Sequence, residues 1–161
     1  MPQAHDSGHP ADRATLHIAA PADRIYGIVT DVANMGRLSP ECVGGQWLGG
    51  ATGPAVGARF KGRNKRGIAR WSTTNEVVEA DPGRAFAFQT KQSGMRWRYE
   101  LEPDADGTVV TESRAEFRER PLVAKLFARF ALGGVEEHED ELRAGMLATL
   151  ERLKAVAESA D

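Results

Sequence analysis

Between residues 42 and 118, clusters of glycine, proline and Asp-Gly interrupt the chain every six to ten residues, and beyond Pro121 the interruptions give way to a helical pattern. Breaks at that spacing leave room for strands joined by tight turns, so the middle of the chain reads as an antiparallel meander. The turn signals are Gly49-Gly50 with Gly53-Pro54, then Arg66-Gly67, Asp81-Pro82-Gly83, Ser93-Gly94 and Asp104 to Gly107. They predict strands near 42–49, 57–66, 68–79, 84–91, 95–102 and 108–118.

Residues 13–19 form a short, half-apolar run that ends at Ala20-Pro21, and the residue before a proline is driven to extended backbone. A strand running directly into a helix is expected, with Pro21 at the first helical position and Ile25, Ile28, Val29 and Val32 on one face. A second short helix is expected over Asp31 to Leu38, stopped by Ser39-Pro40. At the other end Leu122, Leu126, Phe127 and Phe130, then Leu142, Met146, Leu150, Leu153 and Val156, make an apolar stripe. Gly133-Gly134 divides it into a short approach helix and a main helix from about 135 to 158, so residues 120–134 are placed to act as a lid. The order strand, two helices, six strands, long helix predicts an α+β fold: a curved antiparallel sheet of about seven strands wrapped around the C-terminal helix. One helix does not fill the inside of such a sheet, and the remaining space becomes a cavity.

The 161 residues fit a flexible tail over 1–12 and a single domain over 13–161. A net charge of −2 supplies no global pull toward nucleic acid or an anionic membrane. No run approaches the roughly 20 apolar residues that span a bilayer. Cys42 is the single cysteine, which rules out an intrachain disulfide and reads as a spectator thiol. These features predict a cytoplasmic protein, a monomer or weak homodimer, with no cofactor. The acidic run Glu136 to Glu141 around His138 lacks metal-ligand spacing and reads as a solvated helix face, and GGATGPAVG over 49–57 lacks the ending of a phosphate loop.

Strand side chains alternate, and composition selects the inner face. Trp97, Tyr99 and Leu101 oppose Arg96, Arg98 and Glu100; Phe86 and Phe88 point inward by the same test. Phe60, Gly62 and Asn64 oppose a basic row, Arg59, Lys61, Arg63 and Lys65, and the next strand turns Trp71, Thr73, Asn75 and Val77 inward. Strand 108–118 is ambiguous, because Val109 and Val110 are both apolar. On the long helix His138 and Met146 share the apolar stripe.

The stretches IAAPADRIYGIVTDVANMGRLSPE, RFKGRN, ADPGRAFAF, WRYELEPDADGTVVTES and AGMLATLERLKAVAE, in that order over residues 14–158, resemble the polyketide cyclase/dehydrase group of the SRPBCC superfamily. That superfamily includes START lipid-transfer domains and the birch-allergen fold. The resemblance implies a helix-grip fold with a ligand cavity, and it favours Val110, Glu112 and Arg114 on the inner face.

The expected ligand contacts are then Phe60, Asn64, Trp71, Asn75, Phe86, Phe88, Trp97, Tyr99, Glu112, Arg114, His138 and Met146. Glu112 and Arg114, two apart on one face, are placed to form a charge pair that keeps Glu112 ionised or orients a ligand carbonyl or carboxylate. Aromatic walls with a few polar groups suit a hydrophobic small molecule such as a lipid or polyketide-like metabolite, bound or transported. An enzyme of cyclase, aromatase or hydratase type, with Glu112, Arg114, Tyr99 or His138 moving protons, is the alternative. A regulatory or toxin-type interaction protein using the outer sheet or the Gly133-Gly134 region is a second alternative.

Overall fold

The computed structural model describes residues 13–117, Leu122 and 135–159, with side chains on the C-terminal helix from Ala144 onward. Strands β1 (Arg13–Ile18), β2 (Cys42–Leu48), β3 (Arg59–Arg66), β4 (Ala69–Asp81), β5 (Ala85–Thr90), β6 (Met95–Pro103) and β7 (Thr108–Glu116) form one curved sheet. Its order is β1-β7-β6-β5-β4-β3-β2, and every neighbouring pair is antiparallel. Helix α1 (Ala22–Val29), a 3₁₀ helix (Val32–Arg37) and helix α2 (Val135–Glu158) complete the described elements. The fold is the expected helix grip. The approach helix, the Gly133-Gly134 break and the lid over 120–134 fall outside the described residues, Leu122 excepted, and the side chains of His138 and the acidic run fall outside them too.

Pro21 stands one position earlier than expected, as the residue capping α1, with extended backbone at φ −62° and ψ 145°. Its carbonyl accepts the first turn's hydrogen bond from the Ile25 amide at 3.2 Å. Asp23 in that turn complements the positive end of the helix dipole. At the far end the Thr30 hydroxyl donates to the Tyr26 carbonyl at 2.8 Å and closes the helix. The face that spacing predicted is the face that packs: Ile25, Tyr26, Ile28 and Val29 are buried. Gly27 sits on the opposite side, and a Cβ there would meet nothing within 4 Å. Gly27→Ala is therefore expected to stabilise the protein by about 0.5–1 kcal/mol, the helix-propensity difference, read as a higher urea midpoint with unchanged slope.

The 3₁₀ helix lies directly on the backbone of β2. A Cβ at Gly45 would stand 2.7 Å from the Val32 carbonyl oxygen and 3.2 Å from that of Lys61, so only glycine permits this approach. That accounts for a Gly-Gly pair inside a strand.

The core occupies one end of the concave face. Val77, Phe86, Leu101 and Val110 from the sheet meet Ile25, Ile28 and Val29 of α1 and Leu150, Leu153 and Ala157 of α2. Arg24 ties the two helices together by donating to the Ala157 carbonyl at 2.9 Å and the Ser159 carbonyl at 3.1 Å, at the negative end of α2.

Candidate functional site

Toward the other end of the sheet α1 no longer covers the concave face, and a cavity of about 830 Å³ opens. Its walls come from the inner rows of β3 to β7, the 3₁₀ helix and following loop, the β3–β4 hairpin and α2 from Ala144 to Thr149. A volume in this range suits a drug-sized organic ligand. A second depression of about 1060 Å³ lies at the opposite end of the sheet, among Asp23, Glu79, Asp81, Glu102 and Asp104. It is open and lined by charged as well as small apolar residues, and Arg98 there is held by Glu79 at 2.8 Å and Glu100 at 2.6 Å.

Of the residues expected at the site, Phe60, Asn64, Trp71, Asn75, Phe88, Trp97, Tyr99, Glu112 and Met146 line the cavity together. Phe86 does not. It points inward, but at the end of the sheet that α1 fills, and packs edge-on to Tyr26 with ring centroids 6.5 Å apart. Phe88 and Phe60, in edge contact at 5.1 Å, form the cavity floor in front of it. Arg114 is buried opposite Trp97 and is absent from the lining, and the side chain of His138 is outside the described residues.

The ambiguity on β7 is resolved by burial: Val110, Glu112 and Arg114 are 0%, 4% and 5% exposed, while Val109, Thr111 and Ser113 are only half-buried. In place of the charge pair expected between Glu112 and Arg114, Glu112 takes a hydrogen bond from a residue on the neighbouring strand. Residues two apart on a strand stand roughly 7 Å from each other, whereas a direct cross-strand neighbour is about 5 Å away. Tyr99 is that neighbour, and its hydroxyl donates to Glu112 Oε1 at 3.1 Å. Burial drives the Glu112 carboxyl up to about 8, and the Tyr99 hydrogen bond only partly opposes this. Tyr99 is itself pushed well above the usual phenol range by burial, by Glu112 and by the nearby Cys42 thiol. At neutral pH both groups carry their protons. Glu112 Oε2 has no hydrogen-bond partner among the described residues.

A second polar station lies two strands away. The Thr90 hydroxyl donates to Asn75 Oδ1 at 2.6 Å, and Asn75 Nδ2 donates to the Thr73 hydroxyl at 3.2 Å. Alternation along β5 and β6 also carries Thr90 and Met95 onto the face of Phe88 and Trp97, a signal present in the sequence and not used to name them. Met35 of the 3₁₀ helix and Leu38, the residue that caps its C-terminal end, close the wall opposite the sheet, and nothing local marked them. Cys42, read as a spectator, also lines the cavity; its thiol points to the Gly44 carbonyl at 3.5 Å, and burial raises it above its ordinary value, away from thiolate chemistry. Among the described residues no cluster of His, Cys, Asp and Glu has the arrangement of a metal site, and no helix is long and apolar enough to cross a membrane.

Among solved structures the chain is similar to the polyketide cyclase-like protein Cgl2372 of Corynebacterium glutamicum, at 33% identity over 91% of this chain and 88% of that one, with a TM-score of 0.57. It shares its fold with protein MLL2253 of Mesorhizobium loti, at 16% identity over 92% and 97% of the two chains and a TM-score of 0.62. It also shares it with the di-domain aromatase/cyclase StfQ of the steffimycin biosynthetic pathway, at 16% identity and a TM-score of 0.68, where 91% of this chain spans 49% of the longer one. No curated protein sequence matches it. The family model described as polyketide cyclase/dehydrase and lipid transport matches residues 13–158, and the chain belongs to that family.

Proposed function

We propose that this protein binds a hydrophobic small molecule, a lipid or polyketide-like metabolite, in the cavity between the sheet and α2. The observation that carries the proposal is the cavity itself: about 830 Å³, walled by Phe60, Phe88, Trp71, Trp97, Met35 and Met146. Among the described residues, its side-chain hydrogen bonds lie at two stations, Tyr99 with Glu112 and Thr90 with Asn75 and Thr73. Apolar walls with a few placed polar groups are the composition of a receptor site. Native mass spectrometry of freshly purified protein is expected to show a bound mass removed by denaturation. A thermal-shift series with fatty acids and polycyclic aromatic ketones is expected to raise Tm by roughly 5–10 °C at a hundredfold excess over Kd. No co-purified mass, together with no shift from either compound class, would sink the proposal.

The Tyr99–Glu112 pair favours a second reading. A buried carboxylic acid that keeps its proton near neutrality is placed to act as a general acid, as in a cyclase, aromatase or hydratase. Turnover of a polyketide-like substrate that is lost in both Tyr99→Phe and Glu112→Gln would support it, and turnover unchanged in both would reject it.

A further inference from the structure

We propose that Thr73 is the hydrogen-bond donor that seats an oxygen atom of the ligand, a carbonyl or ether, in a recess opened by Gly62. This deepens the binding reading above and rests on it. The inner-face rungs of β3 with β4 are Phe60 with Asn75, Gly62 with Thr73 and Asn64 with Trp71, in unbroken register. A glycine inside a strand marks a bulge, or the close approach of another backbone or of a ligand. At Gly45 the approaching backbone is that of Val32. At Gly62 there is neither bulge nor backbone. A Cβ there would stand 2.9 Å from Thr73 Oγ1 and 3.4 Å from Asn75 Nδ2, and beyond its chain neighbours no other atom of the described residues lies within 4 Å. The glycine thus leaves an unfilled position at hydrogen-bond distance from a hydroxyl. Gly62, Thr73 and Asn75 all line the cavity, and Thr73 is only half-buried, so the recess opens on the space a guest would occupy.

The neighbouring hydrogen bonds decide what the hydroxyl offers. Asn75, 3% exposed, turns Nδ2 toward the Phe60 carbonyl at 3.5 Å. A carbonyl only accepts, so the opposite orientation of the amide would set two acceptors against each other. With the amide so fixed, Oδ1 accepts from the Thr90 hydroxyl at 2.6 Å and Nδ2 donates to Thr73 Oγ1 at 3.2 Å. Thr73 therefore gives one lone pair to Asn75 and retains its O–H, for which the described residues supply no acceptor. The run from Thr90 through Asn75 to Thr73 has one direction and ends in a donor at the recess. An oxygen that accepts completes it, and a hydrocarbon edge does not. The guest this subsite fits is an apolar molecule with a carbonyl or ether oxygen on the edge that faces β3 and β4.

Calorimetry with fluorene and 9-fluorenone compares two probes of one shape that differ at one carbon. The ketone-to-hydrocarbon affinity ratio is expected to be roughly 10-fold higher in the wild type than in Thr73→Val, the yield of one good hydrogen bond. Valine keeps the branched shape and drops the O–H. Thr73→Ser, which keeps the hydroxyl, is expected to hold the wild-type ratio. Gly62→Ala places a methyl where the ketone oxygen would sit, at a residue whose φ is not positive. It is expected to lower the ratio as Thr73→Val does while fluorene still binds. Urea midpoints establish that each variant is folded. A ratio unchanged in Thr73→Val, or unchanged in folded Gly62→Ala, overturns the proposal. So does a crystal structure of the ligand-free protein in which another part of the chain supplies an acceptor to Thr73 Oγ1. If that structure leaves the recess open and the folded protein binds neither probe, the cavity reading is what fails, and the subsite falls with it.

Discussion

Gly107→Ala is expected to destabilise the protein by about 3–5 kcal/mol, a large share of the 5–15 kcal/mol available to an ordinary domain. The added methyl would stand 2.2 Å from the Ile18 carbonyl oxygen, 2.9 Å from the Ala19 Cα and 3.0 Å from the Ile18 carbonyl carbon. All three are backbone atoms that have nowhere to go. Ile18 is paired with Thr108 in the β1–β7 ladder, and the Thr108 hydroxyl donates to the Ala20 carbonyl at 2.8 Å. The φ of +155° at Gly107 adds backbone strain for any L-residue. Gly83→Ala makes the comparison: φ there is +73°, and the nearest atom, Asp23 Oδ1 at 2.5 Å, belongs to a side chain that can swing away. Its cost is expected to be about 1–2 kcal/mol. Urea unfolding of the two variants side by side checks both, and a Gly107→Ala protein as stable as Gly83→Ala would contradict the close packing of β1 on the β6–β7 turn.

The second large effect concerns pH. The Glu112 carboxyl stands at about 8 in the fold against 4.5 in the unfolded chain. Below the lower value both states hold the proton, and Glu112 takes nothing from stability. Between the two values the unfolded chain has released a proton that the native state keeps, so stability falls as pH rises. Above the upper value the loss is complete. The slope is at most about 1.4 kcal/mol per pH unit, and over the window the total is on the order of 5 kcal/mol. Glu112→Gln removes the titrating group, and its stability is expected to stay flat over the window in which the wild type declines. Denaturation midpoints from about pH 4 to about pH 9 read the difference directly. A wild type that gains stability with pH across that range would show that Glu112 is held ionised, and would restore the pairing with Arg114 that its position on the strand first suggested.

That misassigned pairing shows where sequence reasoning stopped. Alternation is local, so it found the inner face of β6 from Trp97 and Tyr99 and of β3 from Phe60 without any knowledge of neighbours. Register is not local: that Tyr99 sits opposite Glu112 depends on the length of the Asp104 to Gly107 turn and on how the strands slide. Phe86 failed for a related reason, since parity tells inward from outward but not how far along the sheet α1 reaches. Parity itself fails within β4, where the register shift between Val77 and Glu79 lets Val77 and Ala80 both turn inward. Met35 and Leu38 become wall residues only because Gly45 lets the 3₁₀ helix settle onto β2, a contact between distant parts of the chain.

The aromatic contacts run unbroken from α1 to β2, from Tyr26 through Phe86, Phe88 and Phe60 to Trp47. Cavity and core are thus two compartments of one stack, separated by a partition a single ring thick. Moving the partition one ring toward α1 would lengthen the chamber without touching the Tyr99–Glu112 and Thr90–Asn75 hydrogen bonds. The depth of the cavity is thus set by the ring bulk at positions 86 and 88, a dimension that substitutions there would change while the rest of the wall stays as it is.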